Sequence, residues 1–155
     1  EKYTGGKISS IINYAKFGTS VSGSASNLSQ GGVGVAFNFD NGKYEQYFHR
    51  YIEFCPDGRT QQKEHPDSKI ETVDKKLPNW EIVKKAVLAV CEHFSSLEIL
   101  GFDIIITDDG LKICEINSLP AMDTEQAMFG PLLKNKDAQA FFQRKKSEKL
   151  QKLRS

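Results

Sequence analysis

Residues 102–117, FDIIITDDGLKICEIN, constrain the fold more than any other stretch of the sequence. Two isoleucine-rich halves flank an Asp-Asp-Gly turn signal, which predicts an antiparallel hairpin with one buried face. The hairpin nevertheless begins with an aspartate, Asp103, and ends in a Glu-x-Asn motif formed by Glu115 and Asn117. Because carboxylates in an apolar setting are costly unless a positive charge compensates them, the pattern indicates a bound cation.

The turn of this hairpin decides whether the polar groups meet. A three-residue loop over residues 108–110, with its glycine in the left-handed conformation, places Asp103 opposite Glu115. A shorter loop over residues 109–110 places Asp103 opposite Ile116 and sends the two carboxylates to opposite faces. We predict the longer loop because it gathers the polar groups on one face. That face would carry Asp103, Ile105, Thr107, Leu111, Ile113, Glu115 and Asn117, and the other face Phe102, Ile104 and Ile106.

Two carboxylates placed directly across a strand pair repel each other. A bound Mg²⁺ or Mn²⁺ turns this repulsion into coordination, because such cations prefer oxygen ligands. We therefore predict a metal site formed by Asp103, Glu115 and the amide oxygen of Asn117. The alternative is a hairpin whose carboxylates lie exposed at the rim of a sheet and bind nothing.

The rest of the sequence predicts an α+β fold. Alternating apolar residues around an Asp-Asn-Gly turn signal predict a second hairpin over residues 33–48, preceded by a Ser- and Gly-rich loop over residues 18–32. Apolar residues at three- and four-residue spacing predict a helix over residues 79–95, with an asparagine at its start as the cap. Capping patterns predict two further helices, which begin at Asp123 and Asp137.

We expect these elements to form one lobe over residues 1–155, with a basic helical tail over residues 137–155. The expected architecture is one antiparallel sheet of five or six strands. The helix over residues 79–95 would pack on one face of this sheet, and the polar cluster would lie at the other.

The composition argues against several classes of function. The chain has 155 residues and a net charge of +1, with 21 basic and 20 acidic residues, which gives no global attraction to nucleic acid. Its three cysteines and three histidines lack the spacing of a zinc site or a disulfide framework. No apolar run approaches the roughly 20 residues of a membrane span, and no signal peptide is recognisable. We therefore expect a cytoplasmic protein.

Several motifs together carry a resemblance to a known family. The segment GFDIIITDDGLKICEINSLPAMDTEQ resembles the metal-binding end of ATP-grasp enzymes such as D-alanine–D-alanine ligase. The segments ASNLSQGGVGVAFNFDNGKY, HPDSKI and LPNWEIVKKAV are similar to the sugar-transfer-associated ATP-grasp group, which is related to α-L-glutamate ligases. The resemblance covers residues 13–130. It implies the C-terminal lobe of the ATP-grasp fold.

The resemblance also implies roles for individual residues. Asp103, Glu115 and Asn117 would bind Mg²⁺ on the phosphates of ATP. Lys16 and Asn27 would serve the transferred phosphate and the acceptor as catalytic residues. Gly31, Gly32 and Asn117 would contact the nucleotide, since glycines permit close backbone approach.

The implied reaction is ATP-dependent. A carboxylate would be activated as an acylphosphate and then joined to an amine, in the modification of cell-surface polysaccharide or peptide. The adenine contacts and the phosphate-binding lysines would lie in an N-terminal lobe of the same polypeptide, so the chain alone would be inactive. Two alternatives stay open: a kinase-type phosphotransferase, and a non-catalytic binding or scaffold domain with a degenerate site.

Overall fold

The computed structural model describes residues 8–50, 61–72 and 74–154, with the backbone alone at positions 46, 47 and 61. Its strands are β1 (Tyr14–Phe17), β2 (Val33–Phe37), β3 (Tyr44–Arg50), β4 (Gln61–Gln62), β5 (Gly101–Thr107) and β6 (Gly110–Asn117). Its α-helices are α1 (Trp80–His93), α2 (Asp123–Phe129) and α3 (Lys136–Lys152), and short 3-10 turns cover Leu28–Gln30 and Leu132–Lys134. The α+β class with antiparallel strands is confirmed.

The six described strands form two sheets rather than the single sheet we expected. Strands β1 to β4 form an antiparallel sheet in sequence order, and β5 pairs only with β6. Val33, Val35 and Phe48 are buried in the larger sheet, with Phe17 and Tyr44 packed against them. The larger sheet thus has a small core of its own. The apolar face of the β5–β6 hairpin does not pair with this sheet and must pack against another element.

Helix α1 is that partner. Its stripe of Trp80, Val83 and Val87 is buried, and apolar residues of both sheets pack against it. The hairpin contributes Phe102, Ile104, Ile106 and Leu111, and the larger sheet contributes Ala15, Phe37, Phe39 and Tyr44. Since burying a valine or a larger apolar side chain stabilises the fold by about 1.5–3 kcal/mol, this helix fixes the hairpin against the sheet. The prediction that Phe102, Ile104 and Ile106 share the core face is confirmed.

The helix starts differ in detail from the capping patterns. Asn79 precedes α1 as predicted, but its side chain makes no cap; its amide donates to the carbonyl oxygen of Thr107 at 3.1 Å. This bond ties the start of α1 to the turn of the β5–β6 hairpin. Asp123 is the first residue of α2 rather than its cap, and no side chain caps that helix.

The start of α3 shows why the prediction at Asp137 was wrong. The side chain of Asn135 accepts hydrogen bonds from the amides of Asp137 and Ala138, so Asn135 is the cap. Further along, Arg144 and Lys145 form ion pairs with Glu98, which precedes β5. The basic tail is thus helical, and its middle is anchored near the hairpin.

Candidate functional site

The turn between β5 and β6 is shorter than predicted. Thr107 lies opposite Gly110, so the loop consists of Asp108 and Asp109 alone, and Ile106 lies opposite Leu111. Neither of the two loops considered from the sequence is present. If this register continued without interruption, Asp103 would face Cys114 and the carboxylates would not meet.

A β-bulge shifts the register so that the two carboxylates lie opposite each other. Ile104 lies opposite Ile113, but Asp103 lies opposite Glu115, so Cys114 is the extra residue. A bulge of this kind reverses which side of the strand the following residues occupy. Ile113 therefore points with the core face, whereas Glu115 lies with Asp103 on the outer face. The predicted opposition of the two carboxylates is present, although the turn that we expected to produce it is not.

The predicted composition of the two faces was wrong at Leu111 and Ile113. Both were placed with the carboxylates, yet Leu111 packs against the α1 cluster and Ile113 pairs with Ile104. The bulge resolves a conflict in strict alternation, which would have put two large apolar residues on the polar face. Leu111 and Ile113 are half-buried, whereas the four residues from Cys114 to Asn117 are exposed.

Asn117 joins the carboxylates at the end of the same outer face. It lies opposite Gly101, and its side chain is exposed, as are those of Asp103 and Glu115. A Cβ atom at Gly101 would come within 2.7 Å of Pro120, so the absence of a side chain there lets the turn after β6 fold over the start of β5. This close approach sets the direction in which the chain leaves the Glu-x-Asn motif.

The donor set fits a hard divalent cation. Two carboxylates and one amide provide oxygen ligands only, which Mg²⁺ and Mn²⁺ prefer. In the described residues no three histidine, cysteine, aspartate or glutamate side chains are grouped to hold a metal. A cation at Asp103 and Glu115 would therefore draw on Asn117 and on ligands from outside the chain, such as water or phosphate.

Lys16 connects the larger sheet to this pair of carboxylates. It lies on β1, and its Nζ atom is 2.9 Å from Oδ1 of Asp103. Both side chains are partly open to solvent, at 35% for Lys16 and 51% for Asp103. An ion pair this exposed contributes about 0–1 kcal/mol to stability. Its importance lies in placing a positive charge beside a predicted metal ligand.

A cavity of about 200 Å³ extends from Lys16 to α2. It is lined by Tyr14, Lys16, Asn27, Leu28, Ser29, Thr124 and Glu125. The two predicted catalytic residues, Lys16 and Asn27, thus share one cavity although eleven positions separate them in the sequence. Through its contact with Asp103, Lys16 also connects this cavity to the carboxylate pair.

The Ser- and Gly-rich loop that carries Asn27 is held by the His-Pro-Asp segment. The carboxylate of Asp67 accepts hydrogen bonds from the amide and the hydroxyl of Ser20, both at 2.8 Å. Nε2 of His65 donates to the carbonyl oxygen of Gly18 at 2.8 Å, while Nδ1 accepts from the amides of Asp67 and Ser68. The bonds from Ser20 hold the pKa of Asp67 below its usual value.

Close packing within the loop explains why glycines occupy its last two positions. Gly31 and Gly32 are buried, and their amides donate to the carbonyl oxygens of Leu28 and Asn27. A Cβ atom at Gly32 would lie 2.8 Å and 2.9 Å from the carbonyl oxygens of Ser26 and Asn27. Neither glycine lines the cavity. Their contact with a nucleotide stays a prediction.

Among the cavity residues that were not identified from the sequence, Tyr14 and Glu125 contact each other. The hydroxyl of Tyr14 donates to Oε1 of Glu125 at 2.9 Å. Burial raises the pKa of Tyr14, and the hydrogen bond and charge of Glu125 raise it further, so the phenol stays protonated and donates. Because 111 positions separate the two residues in the sequence, no local pattern indicates this pair.

No curated protein and no solved structure has significant similarity to the chain. In the described part of the chain, none of the helices combines the length and apolar character that crossing a membrane requires. Residues 5–141 match the family described as sugar-transfer-associated ATP-grasp. A match of this extent supports ATP binding, general use of a divalent metal and an ATP-dependent, ligase-type activity. The chain belongs to the sugar-transfer-associated ATP-grasp family.

Proposed function

We propose that this chain is the metal-bearing lobe of an ATP- and Mg²⁺-dependent ligase that joins a carboxylate to an amine. The observation that carries the proposal is the bulged register, which sets Asp103 opposite Glu115 beside the ammonium group of Lys16. The reaction would proceed in the cytoplasm, on precursors of cell-surface polysaccharide or peptide.

The residues around the carboxylate pair have different proposed roles. Asp103, Glu115 and Asn117 would hold the cation. When bound, Mg²⁺ neutralises phosphate oxygens during transfer. Lys16 adds a second positive charge next to Asp103, and Asn27 lines the adjoining cavity. These groups position and neutralise charge, which is the main protein contribution to phosphoryl transfer.

The proposed reaction has two steps. A substrate carboxylate attacks the γ-phosphorus of ATP, which releases ADP and gives an acylphosphate. The amine then attacks the acyl carbon and releases phosphate, which gives the amide. No side chain acts as a covalent nucleophile, so the chemistry does not require a Ser-His-Asp or Cys-His arrangement.

We further propose that residues 1–155 are one lobe and that the adenine is bound elsewhere. The cavity beside Lys16 has a volume of about 200 Å³ and polar walls. Ligand sites for molecules of drug size or larger occupy about 300–1,000 Å³. This cavity is therefore too small to enclose MgATP, and we expect the chain alone to bind MgATP weakly or not at all. A micromolar affinity in a titration of the chain with MgATP would contradict this expectation.

The test of the ligase assignment is Glu115→Gln in the full-length enzyme. Removing a metal ligand should lower the rate by about 10²-fold or more, measured as ADP release in the presence of both substrates. Glu92→Gln is the matched control, because Glu92 is exposed on α1 and lines no part of the cavity. Near-normal turnover of Glu115→Gln would contradict the assignment. A stable phosphate ester in place of an amide product would identify a kinase instead.

A non-catalytic binding domain is the second candidate. The Lys16–Asp103 ion pair favours it, because a lysine that neutralises a metal ligand is what a site without a metal would retain. Under this candidate neither Mg²⁺ nor Mn²⁺ binds at Asp103 and Glu115, even in the full-length protein. Metal titration therefore separates the two candidates without knowledge of the substrates.

A further inference from the structure

The cavity between β1, the 3-10 turn Leu28–Gln30 and α2 contains a carboxylate that the proposed chemistry does not use. We propose that Glu125 forms a binding subsite for the amino group of a small, hydroxylated amine, the acceptor in the proposed ligation. The role of this amine as the acceptor rests on the proposed ligase function. The binding of an amine at Glu125 rests on the cavity alone.

The surroundings of Glu125 leave one of its oxygens open to a ligand. Oε1 accepts the hydrogen bond from Tyr14, and within the described residues the carboxylate has no other hydrogen-bond or ion-pair partner. Glu125 is half-buried and lines the cavity. A carboxylate so placed is strongly hydrogen-bonding, and an ammonium group is its best small partner because both members are charged.

The nearby lysine does not neutralise Glu125. Lys16 lines the same cavity, but its ammonium group pairs with Asp103. The cavity therefore has a cationic side at Lys16, next to the predicted metal ligand Asp103, and an anionic side at Glu125 on α2. A ligand with one amino group would be attracted to Glu125 and repelled by Lys16, which fixes the direction in which it lies.

The other walls suit a hydroxylated body. Asn27, Ser29 and Thr124 line the cavity, and amide and hydroxyl side chains can both donate and accept hydrogen bonds, while Leu28 is the one aliphatic lining residue. The volume of about 200 Å³ admits a small molecule or the reacting end of a larger one. Such a mixture favours a polyhydroxylated amine over a purely apolar amine.

Tyr14 is a positioning residue for this subsite. Its ring contacts Phe129 at a centroid distance of 5.4 Å, so β1 and α2 pack together at this point. Its hydroxyl then holds the Glu125 carboxylate in the cavity wall. Removing that hydroxyl should leave the carboxylate charged but less well oriented.

The test uses two matched probes, D-glucosamine and D-glucose, which differ in one amino group. Each is titrated into the 155-residue chain, and amide chemical shifts of the cavity residues are followed by NMR. Glucosamine should shift these amides in a saturable way, whereas glucose at the same concentration should not. Glu125→Gln should weaken glucosamine binding by about 10-fold or more. Tyr14→Phe should weaken it by a smaller factor, and Glu92→Gln should leave it unchanged.

Equal binding of the two sugars, or unchanged glucosamine binding in a folded Glu125→Gln variant, would overturn the inference. If Glu125→Gln does not give a native spectrum, the two probes and Tyr14→Phe decide. Titration of the same sample with Mn²⁺ separates the two proposals. Glucosamine binding without Mn²⁺ binding supports the subsite and overturns the ligase assignment. Mn²⁺ binding without glucosamine selectivity overturns the subsite and leaves the metal site.

Discussion

The β5–β6 hairpin and the loop that carries Asn27 contribute to one site by different physical means. In the hairpin, a ladder of backbone hydrogen bonds and the packing of one face on α1 position the side chains. In the loop, side chains of a separate segment, His65 and Asp67, hold the backbone in place. The hairpin therefore depends on register, whereas the loop depends on a few individual hydrogen bonds. Substitutions should affect the two regions separately.

The largest effect should follow a substitution in the tightly packed end of the loop. Gly32→Val places a side chain against the carbonyl oxygens of Ser26, Asn27 and Phe17, at 2.8, 2.9 and 3.1 Å. Because backbone atoms must move to admit it, we expect a loss of about 1–3 kcal/mol in the free energy of unfolding, measured by urea titration. Chemical shifts of β5 and β6 should change little. Gly18→Ala is the control, since its Cβ would make only ordinary contacts at 3.6 Å.

Acid should loosen the same loop. The hydrogen bonds from Ser20, first its amide and then its hydroxyl, lower the pKa of Asp67 in the folded chain. A lowered pKa means that this contribution to stability is fully present above the unfolded-state pKa and is lost as the pH falls through the lower, folded-state value. The amide of Ser20, followed by NMR, should therefore titrate below the ordinary range of an aspartate. A transition at or above about pH 4 would contradict this expectation.

Asp67→Asn provides the matched variant for the acid titration. Its side chain retains an oxygen that can accept from Ser20 but carries no charge. The Ser20 amide should lose its acid transition in this variant, while the amides of β5 and β6 keep their behaviour. An unchanged transition would show that another group titrates beside Ser20.

The smallest change in stability should come from the contact between the hairpin and β1, the strand that leads into the loop. Lys16→Met should alter the free energy of unfolding by less than about 1 kcal/mol, because the ion pair with Asp103 is half exposed. Removing the ammonium group should instead strengthen the binding of Mn²⁺ to the chain, since Asp103 loses a competing cation. Weaker Mn²⁺ binding in this variant would mean that Lys16 helps to build the metal site rather than competing for it.

The hairpin also shows what sequence patterns can and cannot predict. Alternation correctly assigned Phe102, Ile104 and Ile106 to the core. The predicted pairing of Asp103 with Glu115 is also present, but it was derived from a three-residue loop that the hairpin does not have. The turn was wrong because Asp-Asp-Gly is compatible with several loop lengths. The bulge at Cys114 was not foreseen, since its stabilisation comes from tertiary packing: it allows Ile113 to face inward and Glu115 outward.

The cavity was less accessible to prediction than the hairpin. The resemblance to a family indicated Lys16 and Asn27, but local patterns contain no signal for the Tyr14–Glu125 contact. The helix-cap predictions were wrong for a related reason. Asn135 and Asp137 both suit a cap, and the fold selects between them by geometry that sequence spacing does not contain.

The most direct test of the central claim is a titration of the 155-residue chain with Mn²⁺, followed by electron paramagnetic resonance. Saturable binding is expected for the unaltered chain. Asp103→Asn and Glu115→Gln should each weaken it by about 10-fold or more, and Glu92→Gln should not. Equal affinities in all four proteins, or no binding in any of them, would contradict the claim that two carboxylates on neighbouring strands share a divalent cation.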